Sequence, residues 1–508
     1  MNTFMDNLKQ TANLKRTENG AIAHKTTHSD VYDMFAFCGA FRKRTPEDKA
    51  RLFRDAYAEN SELALKCLFY ARDPRGGQGE RDFFRVGFKE LCWIDPATAR
   101  ANLENIIEYG RWDDLFYAVD GTPLWHDAME IIAKQLALDL DCKTPSLMAK
   151  WLPSENASSI QTKRMAGSVR KQLGLTHKEY RKVLSALRKR INVLERLMSA
   201  NRWDEIEFDK IPSKAGLVYK NAFARRDIIA KKYEAFARSE ETKVNADTLY
   251  PYEIVRKALQ TASGYWYGKL QKLSEVDRLM IEKYWNNQID YFNGNPASMI
   301  CVVDTSGSMM NAAYNQSVRP IDVAISLGVY CAERMTGPFA NHYISFASRP
   351  QLIEVKGKDL VDKVRRIYET NLVDDTNLEA VFDLLLITAK HSKVEDIPKT
   401  VVIISDMEIN DATGWEFKST VEVDTFMAGV RAKWAEAGYE CPKLVYWNVD
   451  ARNNTILDGD ENTSFVSGCS PVLFEQIMTG VTGYDLMVQK LMSERYAKVK
   501  LATRHSVM

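Results

Sequence analysis

No apolar run in this sequence approaches the roughly 18 residues that a membrane-spanning helix needs. Its first twenty residues, MNTFMDNLKQTANLKRTENG, hold no hydrophobic stretch of the kind a secretion signal requires. Neither a membrane partner nor export is expected. The eight cysteines, Cys38, Cys67, Cys92, Cys142, Cys301, Cys331, Cys441 and Cys469, form no C-x-x-C pair and no zinc spacing. Most lie inside apolar runs, so they read as buried, reduced thiols of a cytoplasmic protein. The seven histidines are dispersed, and no H-E-x-x-H helix accompanies them. Ser306 and Ser308 lack a G-x-S-x-G elbow. The glycine-rich stretch Arg75–Arg81 lacks the G-x-x-x-x-G-K-[ST] order of a phosphate loop and follows a helical pattern rather than a strand. It reads as a turn between two helices, with a capped restart at Glu80. These absences point to a binding protein, not an enzyme. Net charge is lacking too: 69 Lys and Arg stand against 68 Asp and Glu, which excludes a uniformly basic nucleic-acid binder but not a lopsided one.

What is present divides the chain by period. At about 100–200 residues per domain, the length predicts three or four domain-sized units. The first 290 or so residues follow a helical repeat. Thr45-Pro46-Glu47-Asp48 is a helix start, with proline and acids in the first turn and an apolar face at Leu52, Phe53, Ala56 and Tyr57. A second helix starts at Ser61 and stops at the breaker Asp73-Pro74-Arg75-Gly76-Gly77. Further helical stretches fall at 80–91, 96–109, 123–140, 176–198 and 215–238. Many helices with short connections and no strands suggest a bundle or an irregular α-solenoid.

Past Asn293-Gly294-Asn295-Pro296 the pattern becomes an alternation of short β-branched runs and helices. Strands are expected at Met299–Val303, His342–Phe346, Leu352–Val355, Thr400–Ser405, Lys443–Asn448 and Ser464–Val466. Helices are expected at 320–336, 377–391, 421–437 and 471–492. Such alternation implies a mostly parallel sheet covered on both faces. The fold class is therefore α followed by α/β.

Charge is unevenly distributed along the chain. Lys150–Arg238 carries 21 basic and 9 acidic residues, whereas Ser298–Gly480 carries 16 and 26. The basic excess gathers at Lys163, Arg164, Arg170 and Lys171, and again at His177, Lys178, Arg181, Lys182, Arg188, Lys189 and Arg190. Thr176 and Glu179 form a capping box that starts the second cluster on a helix, with Val183, Leu184 and Leu187 on its buried face. The cations would then form a solvent-facing strip suited to phosphate oxygens. Tyr180 and Trp203 are possible stacking platforms for unpaired bases.

The sharpest chemical signal is Asp304-Thr305-Ser306-Gly307-Ser308, directly after the strand Met299–Val303. One carboxylate and two hydroxyls at a strand's carboxyl end are hard oxygen donors suited to Mg²⁺, with Ca²⁺ or Mn²⁺ as alternatives. Thr376, after the neighbouring Asp374 and Asp375, and Asp406, at the end of Thr400–Ser405, supply matching oxygens. With few carboxylates, the bound cation would keep positive charge and an open position for an external carboxylate or phosphate.

Asp304, Ser306, Ser308, Thr376 and Asp406, in that order and strand context, resemble the metal-ion-dependent adhesion site of von Willebrand factor A domains. A domain of that type after a long helical region resembles the Ro/TROVE group of RNA-binding proteins and its related bacterial and phage domains. The stretches Tyr70–Arg81, Tyr109–Leu115 and Ala149–Glu155 are similar to that related group. The resemblance implies an N-terminal extension over 1–29, a HEAT-repeat-like helical domain over 30–292, a Rossmann-like von Willebrand factor A domain over 297–492 and a tail over 493–508. It also implies capture of small structured or misfolded RNA, forming a ribonucleoprotein. Two other readings stand beside it. One is a metal-dependent protein-interaction module that clamps a partner's carboxylate without RNA. The other is a metal-dependent phosphodiesterase.

Overall fold

The structure is a computed structural model, and it describes residues 4–5, 12–18, 22–191, 193–260, 269–310, 318–370, 376–409, 426–457 and 462–503. Packing divides the chain into two compact units, not three or four. One comprises Met1–Thr45 with Asn245–Leu491, the other Pro46–Val244 with Met492–Met508. The expected boundaries at 29, 292 and 297 are therefore not those of packing, whereas the one at 492 lies one residue from the break after Leu491. Residues 30–45 and 245–292 join the α/β unit, and the chain after 491 joins the helical one. The reason is physical. A helical period shows that a helix exists, but not which core buries it.

The helical unit begins as its caps dictate. Pro46–Glu59 starts on proline with Glu47 and Asp48 in its first turn. Asn60 caps Ser61–Arg72 by accepting from the Leu63 amide at 3.0 Å. That helix ends at Asp73, and the glycine loop turns the chain into Arg81–Ile94. The turn is tight. A Cβ on Gly77 would lie 1.9 Å from the Tyr70 carbonyl oxygen. Glu80 stands at the N-cap position of the new helix, but its side chain makes no capping bond, so the expected capped restart is corrected.

Four stretches expected as single helices are each two; 471–492, in the other unit, holds Phe474–Ile477 and Gly483–Leu491, and three lie in this one. The first is Pro96–Ala101 and Asn105–Tyr109, the second His177–Arg190 and Leu194–Ser199, the third Ser213–Ala224 and Asp227–Arg238. Between the first pair, Asn102 donates to the Thr98 carbonyl at 2.8 Å and to the Lys500 carbonyl at 2.8 Å. That second bond belongs to a strap made by the end of the chain. Arg495 pairs with buried Asp73, the Tyr109 hydroxyl donates to the Arg495 carbonyl at 2.5 Å, and buried Tyr496 stacks on Tyr109.

In the other unit, the first strands are β1 (Leu14–Arg16) and β2 (Ile22–His24), an antiparallel pair. They correct the expectation of helix throughout the first 290 residues. The main sheet contains β3 (Met299–Asp304), β4 (His342–Phe346), β5 (Leu352–Glu354), β6 (Thr400–Ser405), β7 (Lys443–Asn448) and β8 (Thr463–Ser467). Their order is β5-β4-β3-β6-β7-β8. All neighbours are parallel except β4 and β5, so this is a mixed sheet of six strands. Every residue of β3, β6 and β8 is buried, as both-face coverage of a largely parallel sheet demands. Helix Asp30–Phe37 packs on β8, and Pro320–Arg334 packs on β3. Gly328 permits the second approach, since a Cβ there would meet Val303 Cγ2 at 2.5 Å.

The chain runs from β3 to β4 on one side, then crosses to β6 on the other. The carboxyl ends of β3 and β6 therefore flank a topological switch point, where open α/β sheets place their ligands.

Candidate functional site

Asp304 ends β3 with its side chain fully buried. Its Oδ1 accepts from the Ser306 amide at 2.8 Å, and its Oδ2 accepts from the Ser405 hydroxyl at 2.5 Å. The Ser306 and Ser308 hydroxyls lie 3.1 Å apart. Asp406, just past β6, is also buried, and the Ser308 hydroxyl favours its charged form. Contacts thus link Asp304, Ser306, Ser308 and Asp406 across the switch point. Thr376 is buried two residues before the helix Leu378–Ala389, which Asn377 caps. Its place beside the other four remains an expectation carried by the motif. Asp374 and Asp375 lie outside the described residues.

Two carboxylates this close and this deep disfavour shared negative charge. Burial raises the Asp304 carboxyl above its ordinary range. Burial first, and then the charge of Asp304, push Asp406 up to about 7, while Arg452 pulls the other way. The site therefore favours a positive charge. Among the described residues, no group of three or more His, Cys, Asp or Glu side chains is arranged to hold a metal ion. The set here has only two carboxylates, with hydroxyls as its other donors.

Sequence reasoning missed the residues that contact Asp406 and its neighbours. Arg452, beyond β7, places Nη2 2.7 Å from Asp406 Oδ2 and Nη1 3.1 Å from Glu18 Oε2. Asn453 donates to Glu408 Oε1 at 3.0 Å and to Glu18 Oε1 at 3.1 Å. The Thr17 hydroxyl donates to the Ile409 carbonyl at 2.7 Å. Met407 has φ 65, in the left-handed region that a bulky side chain rarely adopts, at the turn straight after Asp406. The Met407 amide donates to the Ser405 hydroxyl at 3.1 Å. The one signal available in the sequence was position, because residues just past parallel strands line the same rim.

The basic strip divides into two populations. Helices Ile160–Gln172 and His177–Arg190 carry it, and Thr176 and Glu179 form the expected capping box. The arginines are largely spent within the unit. Arg164 pairs with Asp120 at 2.9 Å, and Arg170 with Glu155 at 2.9 Å. Arg188 donates to the carbonyls of Ala149 and Leu152 and to the Ser154 hydroxyl at 2.8, 2.7 and 2.8 Å. Arg190 donates to the Leu140 and Cys142 carbonyls at 3.0 and 2.7 Å. Arg181 reaches the His177 carbonyl at 3.3 Å, and His177 lies 2.7 Å from Glu155. Lys163, Lys171, Lys178, Lys182 and Lys189 are exposed and make no hydrogen bond or ion pair among the described residues. The suggested stacking platforms are corrected. Tyr180 is core, with its hydroxyl bonded to the Pro153 carbonyl, and Trp203 is buried beneath Arg226.

A model described as a domain of unknown function, DUF7788, matches residues 298–504. A second, described as a domain of unknown function, DUF2828, matches 17–170 and 123–295, more than half of the chain. The chain belongs to the DUF2828 family. It is also 30% identical over 520 residues to "Uncharacterized protein L728" of Acanthamoeba polyphaga mimivirus, covering 92% of this chain and 85% of that protein. The DUF2828 match takes in β2 and the stretch Pro46–Val244 of the helical unit, while the DUF7788 match takes in Asp304, Ser306, Ser308, Thr376 and Asp406. Of the eight cysteines, Cys142 is exposed, Cys441 is half-buried and the other six are buried. No helix among the described residues is long and apolar enough to cross a membrane.

Proposed function

We propose that this DUF2828 protein is a cytoplasmic RNA-binding protein with a divalent-cation site. Its helical unit, HEAT-like in type, captures small structured or misfolded RNA electrostatically. Its α/β unit, of the von Willebrand factor A type, holds one ion, Mg²⁺ in preference to Ca²⁺ or Mn²⁺, through Asp304, Ser306, Ser308, Thr376 and Asp406. The observation that carries the reading is the chain of contacts from Asp304 through Ser306 and Ser308 to Asp406 at the switch point. Oxygen donors there suit a hard cation, and two buried carboxylates call for one. The exposed lysines supply the RNA face, since each can contact a phosphate without first breaking an internal bond.

RNA binding is tested by salt titration. Affinity falls steeply with salt, and replacing Lys163, Lys171, Lys178, Lys182 and Lys189 by Gln flattens the slope. A response that is flat in the unaltered protein contradicts the reading. Arg452 favours a second reading, a metal-dependent protein-interaction module. A guanidinium beside a bound cation is a natural partner for an incoming protein carboxylate. Binding of an acidic peptide that requires both Mg²⁺ and Arg452, together with no RNA affinity, would support it.

A further inference from the structure

Another cluster of cations lies on the helical unit, outside the strip. Asp113 and Asp114 open the helix Trp112–Val119. Asp114, fully buried, accepts from Arg72 Nε at 2.8 Å and from Arg85 Nε at 2.8 Å. Asp113 accepts from Arg85 Nη2 at 2.7 Å and from Arg111 Nη2 at 2.7 Å. Arg111 lies 4.0 Å over the Trp151 ring, and the Lys150 ammonium lies 5.6 Å from the same ring. Arg85 lies 4.5 Å over Tyr117. Arg81 precedes Arg85 by one helical turn on the same face.

Three cations, Arg72, Arg85 and Arg111, thus share two carboxylates, and two more, Arg81 and Lys150, accompany them. Two acids close by in the sequence are committed elsewhere, Asp73 to Arg495 and Asp82 to Lys49. Arg81 and Lys150 make no hydrogen bond or ion pair among the described residues. Arg85 and Arg111 spend Nε and Nη2 on carboxylates, and Nη1 of each has no hydrogen bond among the described residues. Carboxylate and ring together fix both guanidinium planes, which lowers the ordering cost of presenting the remaining N–H groups. Burial and the nearby charges of Arg85 and Arg111 lower the Arg81 guanidinium's affinity for its proton, the signature of a crowded positive site.

We infer that Arg81, Arg85, Arg111 and Lys150, held around Asp113, Asp114 and the Trp151 ring, form a binding site for a phosphate group carried by a nucleotide. Arg81 and Lys150 are its recruiting charges, and the Nη1 groups of Arg85 and Arg111 are its oriented donors. The phosphate belongs either to an RNA chain or to a free nucleotide. The site goes beyond the lysine face and stands whether or not that face binds RNA.

The test uses the full chain with four probes: inorganic pyrophosphate, adenosine monophosphate, and a short single-stranded RNA with and without a 5′-phosphate. Arg81→Gln and Lys150→Gln break no internal bond, and circular dichroism and melting confirm that they fold. Each is expected to weaken the probes that bind by roughly tenfold and to reduce the salt slope for RNA by about one. Equal binding of the two RNAs assigns an internal phosphodiester, a 5′-phosphate requirement assigns a chain end, and monophosphate binding alone assigns a free nucleotide. Unchanged affinity of both variants for every probe overturns the inference, even where the five-lysine variant has lost RNA. Pyrophosphate binding that depends on Arg81, without any RNA binding, upholds this site and overturns only the RNA reading.

Discussion

Arg188 separates structural from RNA-facing charge in the basic strip. Its guanidinium donates to the Ala149 and Leu152 carbonyls and to the Ser154 hydroxyl. It therefore ties the helix His177–Arg190 to Met148–Trp151 and to the residues that follow it. Burial lowers its affinity for the proton, as expected of a cation held against carbonyls with no carboxylate partner. Hydrogen bonds to charged groups contribute about 1.5–3 kcal/mol each and do not add in full. Arg188→Ala should therefore cost the helical unit about 3 kcal/mol, because it strands two carbonyls at once. Arg188→Lys keeps the charge but loses the planar fork, so it should recover only a minor part of that loss. Lys189→Ala, one residue on, should change stability by less than about 0.5 kcal/mol while weakening RNA. Native-state hydrogen exchange at residues 149–190 reads the helical unit by itself, which matters in a chain of two units. Arg188→Ala with wild-type protection would refute the assignment of its donors to the fold.

Three further outcomes follow from the same contacts. In chelator, Asp406 keeps a proton up to about 7, whereas the unfolded chain loses it near 3.9. Its stabilising contribution is thus present at low pH and falls as pH rises from about 4 to 7. Urea unfolding across that window should show a shallower decline for Asp406→Asn than for the unaltered chain, and equal slopes would contradict the shift. Arg495→Met leaves Asp73 buried without its partner, and hydrogen exchange should register a loss of about 3–5 kcal/mol in the helical unit. Protection unchanged from wild type would show the strap to be dispensable. Arg452→Met should raise the Asp406 pKa further by removing the guanidinium that pairs with it, read by carboxyl chemical shifts in a pH titration. No movement would mean that the ion pair is absent in solution.

The α/β half was largely legible because its signals are local. Apolar β-branched runs placed all six strands of the main sheet within about two residues, near the limit for element boundaries. The spacing of Asp304, Ser306 and Ser308 needs only one turn after one strand. Arg452 and Glu18 were invisible because their roles depend on residues 46 and 434 positions away, respectively. The internal bonds of the strip's arginines were invisible for the same reason. A run of cations does not reveal that Arg188 and Arg190 spend their donors on carbonyls 36–50 residues back. Tyr180 was ambiguous because an aromatic on a helix fits a core or a stacking surface equally well, and only tertiary packing shows its hydroxyl on the Pro153 carbonyl. The strap around Arg495 and Tyr496 lies nearly the whole chain away from Asp73, beyond the reach of any periodicity.

Equilibrium dialysis against Mn²⁺, followed by metal analysis of wild type and Asp304→Ala, tests the cation site most directly. The account predicts one ion per chain in the wild type, displaced by excess Mg²⁺, and none in a variant whose circular dichroism shows it folded. Equal manganese in both proteins, or none in the wild type, would contradict it.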